Sequence, residues 1–467
     1  MKTPTTNISF RTTAALFLGL CMLAVPRTGH CLETLKPGEK LTLQRAIQLT
    51  LRNHPRGMQM ESEAIAADAR VGEARSALMP QVYGASEYLR STDNPIGNTT
   101  YLNPGFVPRI TGTLHGGRPG EGQSFSTTDN FLGAVGVQQY LFDFGRVRGQ
   151  IEQREAEAGA AQAATRQTDL DLVFEATQRY FALLAAGQKV KVYQKAIDQR
   201  SEELHAAKVR AGAGLTSQID VLTAQSELAR AKTGLLDSSN QEATARVALN
   251  NAMALSTNAP DYELADMLTY KEVAGDLGSY FTTAIRLRPD LKELEQQARA
   301  AGAQVTQAQS DFYPAIAAEA GYNTMGTGLP AANNFNAGIV VTWPIFNGFL
   351  TQSQIHEAKA RQDSIRYAMQ DLQLRIWLEV KSAFLDLQTA LQRIHESEET
   401  LAASAGQLEL AEKRYSAGLG NIIELTDAER FYIQDNAGYV DALYGFSIAK
   451  AWLDQTTGVA LAKVADR

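Results

Sequence analysis

Cysteine is nearly missing from this chain: two in 467 residues, Cys21 and Cys31. Both fall in an N-terminal segment read below as a cleaved leader. The mature chain then holds no disulfide framework, zinc quartet or thiol nucleophile. Long apolar runs are scarce too. Past residue 31 none reaches the roughly 18 consecutive apolar residues that a membrane-spanning helix requires. The histidines at 54, 115, 205, 356 and 395 are scattered, without metal-ligand spacing. No nucleophile elbow or phosphate loop accompanies them. "RIHESEE" (393–399) reads as the charged outer face of a long helix rather than a metal site. The expectation is therefore no enzyme, no metal and no cofactor. Positive charge is also in deficit: the formal net charge is −7, with 44 Lys and Arg against 51 Asp and Glu. That balance argues against a nucleic-acid binder, which needs a basic face.

The one strongly apolar run is "TTAALFLGLCMLAV" (12–25), behind Lys2 and Arg11 and ahead of Pro26. A basic start, a short apolar centre and small residues near the end describe a secretory signal peptide over residues 1–31, cut near Gly29–Cys31. Lipidation of Cys31 is the other reading, but His30, not a small residue, precedes that cysteine, which favours ordinary cleavage. Removing residues 1–31 takes away Lys2, Arg11 and Arg27 and no acid, so −7 becomes −10.

What the chain has in abundance is itself. "RAGAGLTSQIDVLTAQ" (210–225) is rewritten as "RYSAGLGNIIELTDAE" (414–429), 204 residues on. "TLRNHP" (50–55) answers "AIRLRP" (284–289), and "ARSALMPQVYGASEY" (74–88) answers "AQSDFYPAIAAEAGY" (308–322), both at 234. From "LFDFG" (141–145) against "IFNGF" (345–349) the offset is 204, so the first copy carries a 30-residue surplus within 90–130. That surplus is dense in Gly, Pro, Asn and Thr, an exposed loop. Internal duplication follows: repeat one at about 40–255, a linker at 256–283, repeat two at about 284–458.

Proline is absent from 120–259 and from 345–467. A proline inside a helix costs about 3 kcal/mol, so these zones permit very long helices. Leu183, Val190, Ile197 and Leu204 recur every seven residues, as do their counterparts Leu387, Ile394, Leu401 and Leu408. A sustained heptad means helices supercoiling on neighbours. A helix from 146 to 210 would run roughly 100 Å, too long for a compact globule. Each must reverse, and Gly212, Gly214 and Leu215 in one copy, with Gly418, Leu419 and Gly420 in the other, supply the turn chemistry of a hairpin tip. Return helices are expected over about 218–255 and 421–458.

After Pro80 and Pro314 the period changes to two. In "PAIAAEAGYN", Ile316, Ala318, Ala320 and Tyr322 form one face; Ala317, Glu319, Gly321 and Asn323 form the other. Ile339, Val341, Trp343 and Ile345 alternate likewise in the partner segment. Strands are expected at about 80–92, 129–142, 314–325 and 335–346. Ten-residue alternating strands with Tyr88, Tyr322 and Trp343 near their ends fit a bilayer-spanning barrel; a soluble hairpin packed on helices fits the alternation alone. Four strands cannot seal a barrel, and open edges in hydrocarbon leave N–H and C=O groups unsatisfied. Spanning strands therefore demand oligomers, and three chains give twelve.

With both Pro-then-strand junctions, "LFDFGR" and "IFNGF" at the strand-to-helix returns, and the paired "AGLTSQIDVLTAQ" and "AGLGNIIELTDAE" tips, nearly the whole mature chain resembles the TolC-type outer membrane efflux proteins. Each motif is weak alone; two ordered copies make the match specific. The resemblance implies a mainly α fold with a small β part: a homotrimer with a twelve-stranded outer membrane β-barrel, four strands per chain, continuous with a periplasmic α-helical tunnel. It implies contact with outer membrane lipids, docking on a periplasmic adaptor, and an inner-membrane ABC or RND-type transporter. The duct would serve efflux or type I secretion, and 256–283 would belong to an equatorial belt. It further implies a periplasmic gate. Two lumen-facing acids three residues apart fall on Glu424 and Asp427, which share a helix face; read as residues alone they are solvated acids at a helix start. The first copy offers Asp220. The gate tyrosine falls on Tyr415, whereas Gly420 stands where the family's arginine would be, so the closed state needs another lock. The tips would touch the adaptor, or serve simply as turns. The rival class is a non-channel periplasmic coiled-coil scaffold, which explains the heptads but not the alternating strands.

Overall fold

The structure is a computed structural model that describes residues 34–92, 127–214, 216–256, 260–271, 275–326 and 332–465. The leader (1–31), most of the 90–130 insertion and Leu215 lie outside the described residues. Element order is β1 (Lys40–Leu41), α1 (Leu43–Asn53), α2 (Pro55–Ser76), β2 (Gln81–Thr92), β3 (Thr127–Phe142), α3 (Arg146–Gly212), α4 (Gln218–Ala252) and β4 (Glu263–Leu264). Then come α5 (Leu277–Leu287), α6 (Pro289–Ser310), β5 (Ala315–Gly326), β6 (Ala332–Thr342), α7 (Leu350–Ser416), α8 (Ile422–Thr456) and α9 (Val459–Ala465). α5, α6 and β5 begin 234 residues after α1, α2 and β2; α7 and α8 begin 204 after α3 and α4.

The helices start where the chain supplies a terminus. Pro55 and Pro289 open α2 and α6, where a missing N–H costs nothing. Asp143 caps α3, accepting from the backbone of Gly145 at 3.1 Å and Val147 at 2.8 Å. With no proline to interrupt them, α3 and α7 run 67 residues each, about 100 Å. Each long helix packs on shorter helices of its own repeat, α3 on α2 and then α4, α7 on α6 and then α8, and α3 also packs along α6 of the other repeat. Along its length α8 also packs against α3, so the two hairpins share one seam. The heptad residues supply the apolar contacts. Ile394 is fully buried, and with Ala383 and Leu387 it meets Leu443, Phe446 and Leu453 of α8. Val190, Ile197, Leu204 and Leu401 are half-buried.

At the waist β1 pairs in parallel with β4. Tyr180 of α3, fully buried, donates to the Asp266 carboxylate at 2.6 Å, within reach of the Leu41 carbonyl at 2.9 Å. Arg288, just before α6, bridges Asp290 at 2.6 Å and Glu379 of α7 at 2.5 Å. The first set ties the linker to repeat one, and the Arg288 pairs tie α6 to α7 within repeat two.

The larger sheet is antiparallel in the order β2-β3-β5-β6. Directly paired residues share a face. Tyr88 pairs with Phe131, Val135 with Tyr322, Tyr322 with Phe335, Ala318 with Ile339 and Ile316 with Val341. That side is apolar and exposed. The opposite side carries Glu87, Gln138, Glu319, Gly321, Asn323 and Asn334, with Gln138 donating to Glu319 at 3.2 Å. β6 ends at Thr342, so Trp343 and Ile345 lie past the strand, beside Pro344, which cannot donate to a ladder. Trp343 instead donates its indole N–H to the Phe312 carbonyl at 3.1 Å. Pro80 and Pro314 sit directly before β2 and β5, where the helical turn ends and extended backbone begins. Aromatic rings crowd this junction, Phe144 stacking on Tyr313 at 4.8 Å. No described helix is long and apolar enough to cross a membrane.

Candidate functional site

The hairpin tips lie at the far end from the sheet. At the second tip, Gly418 takes a left-handed φ of 72°, its N–H bonds the Tyr415 carbonyl at 3.2 Å, and the Leu419 N–H bonds the Arg414 carbonyl at 2.9 Å. Those two bonds define a Schellman stop, which favours glycine at the left-handed position. Gly214 holds the equivalent place in the first tip at φ 71°, bonded to the Ala211 carbonyl at 3.0 Å; Gly212 closes α3. Leu419 is 74% exposed at the apex. Gly420 is packed differently: a Cβ there would come within 3.2 Å of both the Arg414 Cβ and the Tyr415 backbone nitrogen. The tight fold-back excludes an arginine side chain at this position without local movement.

Arginine reappears six residues earlier. Arg414 Nε lies 2.9 Å from Glu424 Oε1, and its Nη2 donates to the Leu419 carbonyl at 3.3 Å. Asp427 pairs with Arg430 at 2.8 Å. Glu424 and Asp427, the acids expected at a gate, are thus on the first turns of α8, half-exposed and each beside a cation. Asp220, on the first turn of α4, accepts from the Thr216 hydroxyl. Tyr415 faces the first hairpin: the Arg210 guanidinium lies 4.8 Å from its ring centroid, and Arg210 Nη1 donates to its carbonyl at 3.3 Å. Burial pushes the Tyr415 phenol up, opposed by Arg210 and reinforced by Asp220. The structure therefore gathers Tyr415, Asp220 and Arg210 across the seam, and Glu424 with Arg414 within one hairpin.

Sequence reading missed both arginines, although the signal was present: Arg210 and Arg414 are repeat equivalents, and each opens its tip stretch. The duplicated residue is put to two uses. Arg414 turns to Glu424, while Asp220, the equivalent of Glu424, is held by Thr216 and Arg210 reaches across to the other hairpin.

Above the tip the seam is a ladder of polar links. Gln199 donates to Glu412 at 2.7 Å, Arg200 faces Glu429 at 3.4 Å, Lys189 meets Asp441 at 2.7 Å, and Gln455 donates to Asp171 at 3.0 Å. From residue 171 to 210 that ladder covers roughly 60 Å of α3. Beside it lies an open trough of 1340 Å³ between the hairpins, lined by Arg230, Asp386, Arg393, Arg430, Asp435 and Trp452 among others. Among the described residues no group of three or more His, Cys, Asp or Glu side chains could hold a metal ion.

A doubled strand–helix–tip plan on this scale has relatives. The sequence profile of the outer membrane efflux proteins matches residues 46–255 and 282–459. The chain belongs to that family. As a member it resides in the outer membrane with a large periplasmic portion, and the coiled-coil scaffold reading falls away. It is 23% identical over 377 residues to the outer membrane efflux protein BepC of Brucella suis biovar 1 (strain 1330), covering 77% of this chain and 79% of the relative. It is 24% identical to protein CyaE of Bordetella pertussis (strain Tohama I) over 413 residues, 86% of this chain and 81% of the relative. Among solved structures, CusC superposes with a TM-score of 0.74 at 19% identity, over 92% of this chain and 96% of that one. VceC of Vibrio cholerae gives 0.71 at 17%, over 89% and 96%. The resemblance to TolC-type efflux proteins and the mainly α architecture with a small sheet are borne out.

Proposed function

We propose that this chain is one third of an outer membrane exit duct, serving a tripartite efflux or type I secretion system. Three copies close a twelve-stranded barrel, and their helices continue it as a periplasmic tunnel. The observation that carries this reading is the β2-β3-β5-β6 sheet, apolar on one face and small or polar on the other, with β2 and β6 at its open edges. An apolar face exposed on an edge-open sheet is tolerable only if lipid covers the face and further strands cover the edges. Identical copies supply those strands with the right register. A periplasmic adaptor docks on the tips, Gly212 to Leu215 and Gly418 to Gly420, and hands cargo from an inner-membrane ABC or RND-type transporter. Names among the relatives include a toluene efflux pump, an antibiotic efflux pump and a cation efflux system. Such varied cargo among relatives of one fold supports a reading in which selectivity belongs to the pump rather than the duct wall.

The periplasmic mouth is gated by Tyr415, clasped by Arg210, with Asp220, Glu424 and Asp427 nearby. Arg210 takes over the locking role that Gly420 cannot fill. No bond chemistry is asked of any residue. The test is purification of the mature protein in detergent. A trimer that forms ion-conducting pores in planar bilayers supports the duct; a monomer soluble without detergent and without conductance defeats it.

A further inference from the structure

A charged cluster in the seam is left unused by the gate. Arg200 of α3 and Glu429 of α8 are 4% and 2% exposed. Arg200 Nη1 lies 3.0 Å from Glu227 of α4 and 3.4 Å from Glu429, and Glu227 is also held by Arg230 at 2.6 Å. Glu203, one turn beyond Arg200, lies on the same face of α3 and adds a neighbouring carboxyl to Glu429. Glu412 of α7 faces the same cluster, bonded to Gln199. The titratable and charged groups around Glu429 are thus Arg200 and Glu203 from α3, Glu227 from α4 and Glu412 from α7. One buried guanidinium, already engaged by Glu227, faces an excess of carboxylates. Neither oxygen of Glu429 has a hydrogen-bond donor. Two adjacent carboxyls, one of them fully buried, resist ionising together, and a proton held between them supplies the donor that is lacking.

We propose that the closed seam of each protomer stores one proton, shared between Glu203 and Glu429, which makes the joint between the two hairpins pH-sensitive. Burial pushes Glu429 well above the ordinary glutamate range, and the Glu203 carboxyl adds to the rise; burial likewise raises Glu203. The sign follows from linkage. A hydrated glutamate has released its proton above its ordinary value of 4.5, whereas the packed pair keeps one. The packed seam is therefore at full strength at low pH and loses about tenfold in its closed-to-open ratio per pH unit per protomer as pH rises through the window above that value. The effect on gating rests on the duct reading; the stored proton does not.

The test uses the whole mature protein in detergent. Infrared spectra at neutral to mildly alkaline pH should contain a protonated-carboxyl band that Glu429→Gln removes, because the half-exposed Glu203 is then free to ionise, and that Glu203→Gln makes titrate at lower pH, because Glu429 stays buried but loses its carboxyl neighbour. A spectrum without that band, or one that Glu429→Gln leaves intact, overturns the proposal. Paired spin labels at Gln194 of α3 and Gln434 of α8, both exposed, read the joint itself. Between about pH 6 and about pH 9 their distance distribution should broaden in the otherwise native protein and stay narrow in Glu429→Gln, whose amide is a neutral donor throughout. Identical pH behaviour in the two proteins also overturns it. A protein with the band and the label response but no conductance in bilayers refutes the duct and leaves the proton standing.

Discussion

Replacing Arg210 with alanine should open the periplasmic mouth, and the size of the effect can be worked from the tip geometry. The guanidinium sits 4.8 Å from the Tyr415 ring centroid and donates to the Tyr415 carbonyl at 3.3 Å. A cation–π contact on a half-buried ring contributes about 1 kcal/mol. The accompanying hydrogen bond contributes about 0.5–1.5 kcal/mol, discounted here because it is long. The clasp is then worth roughly 1–2 kcal/mol per protomer. Three protomers opening together would lose roughly 3–6 kcal/mol, a factor of about 10² to 10⁴ in the closed-to-open ratio. Open probability of single channels in planar bilayers measures it. Arg210→Lys keeps the charge but loses the planar stack, so it should fall between wild type and alanine. A double-mutant cycle with Tyr415→Leu isolates the ring contact from the backbone bond and should return a coupling of about 1 kcal/mol per protomer. An Arg210→Ala channel whose open probability stays within about twofold of wild type, with no coupling in the cycle, would refute the clasp.

Alanine at Arg414 should expose Glu424 and strengthen block by multivalent cations, whereas Glu424→Ala with Asp427→Ala should weaken block and raise conductance; equal block in all of them removes these acids from the gate. Ile394→Ala, at a fully buried heptad position, should lower stability by about 2–5 kcal/mol in thermal unfolding followed by circular dichroism, and Ile394→Val by about 1 kcal/mol. Arg288→Ala leaves the half-exposed Asp290 and Glu379 without their shared cation and should cost about 1–3 kcal/mol in the same assay. A loss no larger than that of an exposed pair such as Arg361–Glu357 would show that the waist does not depend on it.

Sequence alone settled the features that depend on local chemistry and on repetition. Proline spacing allowed the 67-residue helices, heptads marked their apolar stripe, glycines marked the tips, and a period of two marked the strands. The offsets of 234 and 204 recur in the positions of the elements. Strand ends were less legible: β6 stops at Thr342 although the apolar alternation continues through Ile345, because a ladder needs an N–H that Pro344 lacks.

What needed the tertiary structure was which copy of a duplicated residue does what. Arg210 and Arg414 are equivalent in the sequence, yet one crosses the seam to Tyr415 and the other stays within its hairpin on Glu424. Glu429 lies more than 200 residues from Arg200 and Glu203, and all three read as ordinary surface charges on long helices. Only the packing of α8 on α3 removes Arg200 and Glu429 from water and brings the group together. A repeat fixes the shape of each half because folding signals are local; the contacts between halves depend on side chains meeting across a seam, and no spacing along the chain encodes that meeting.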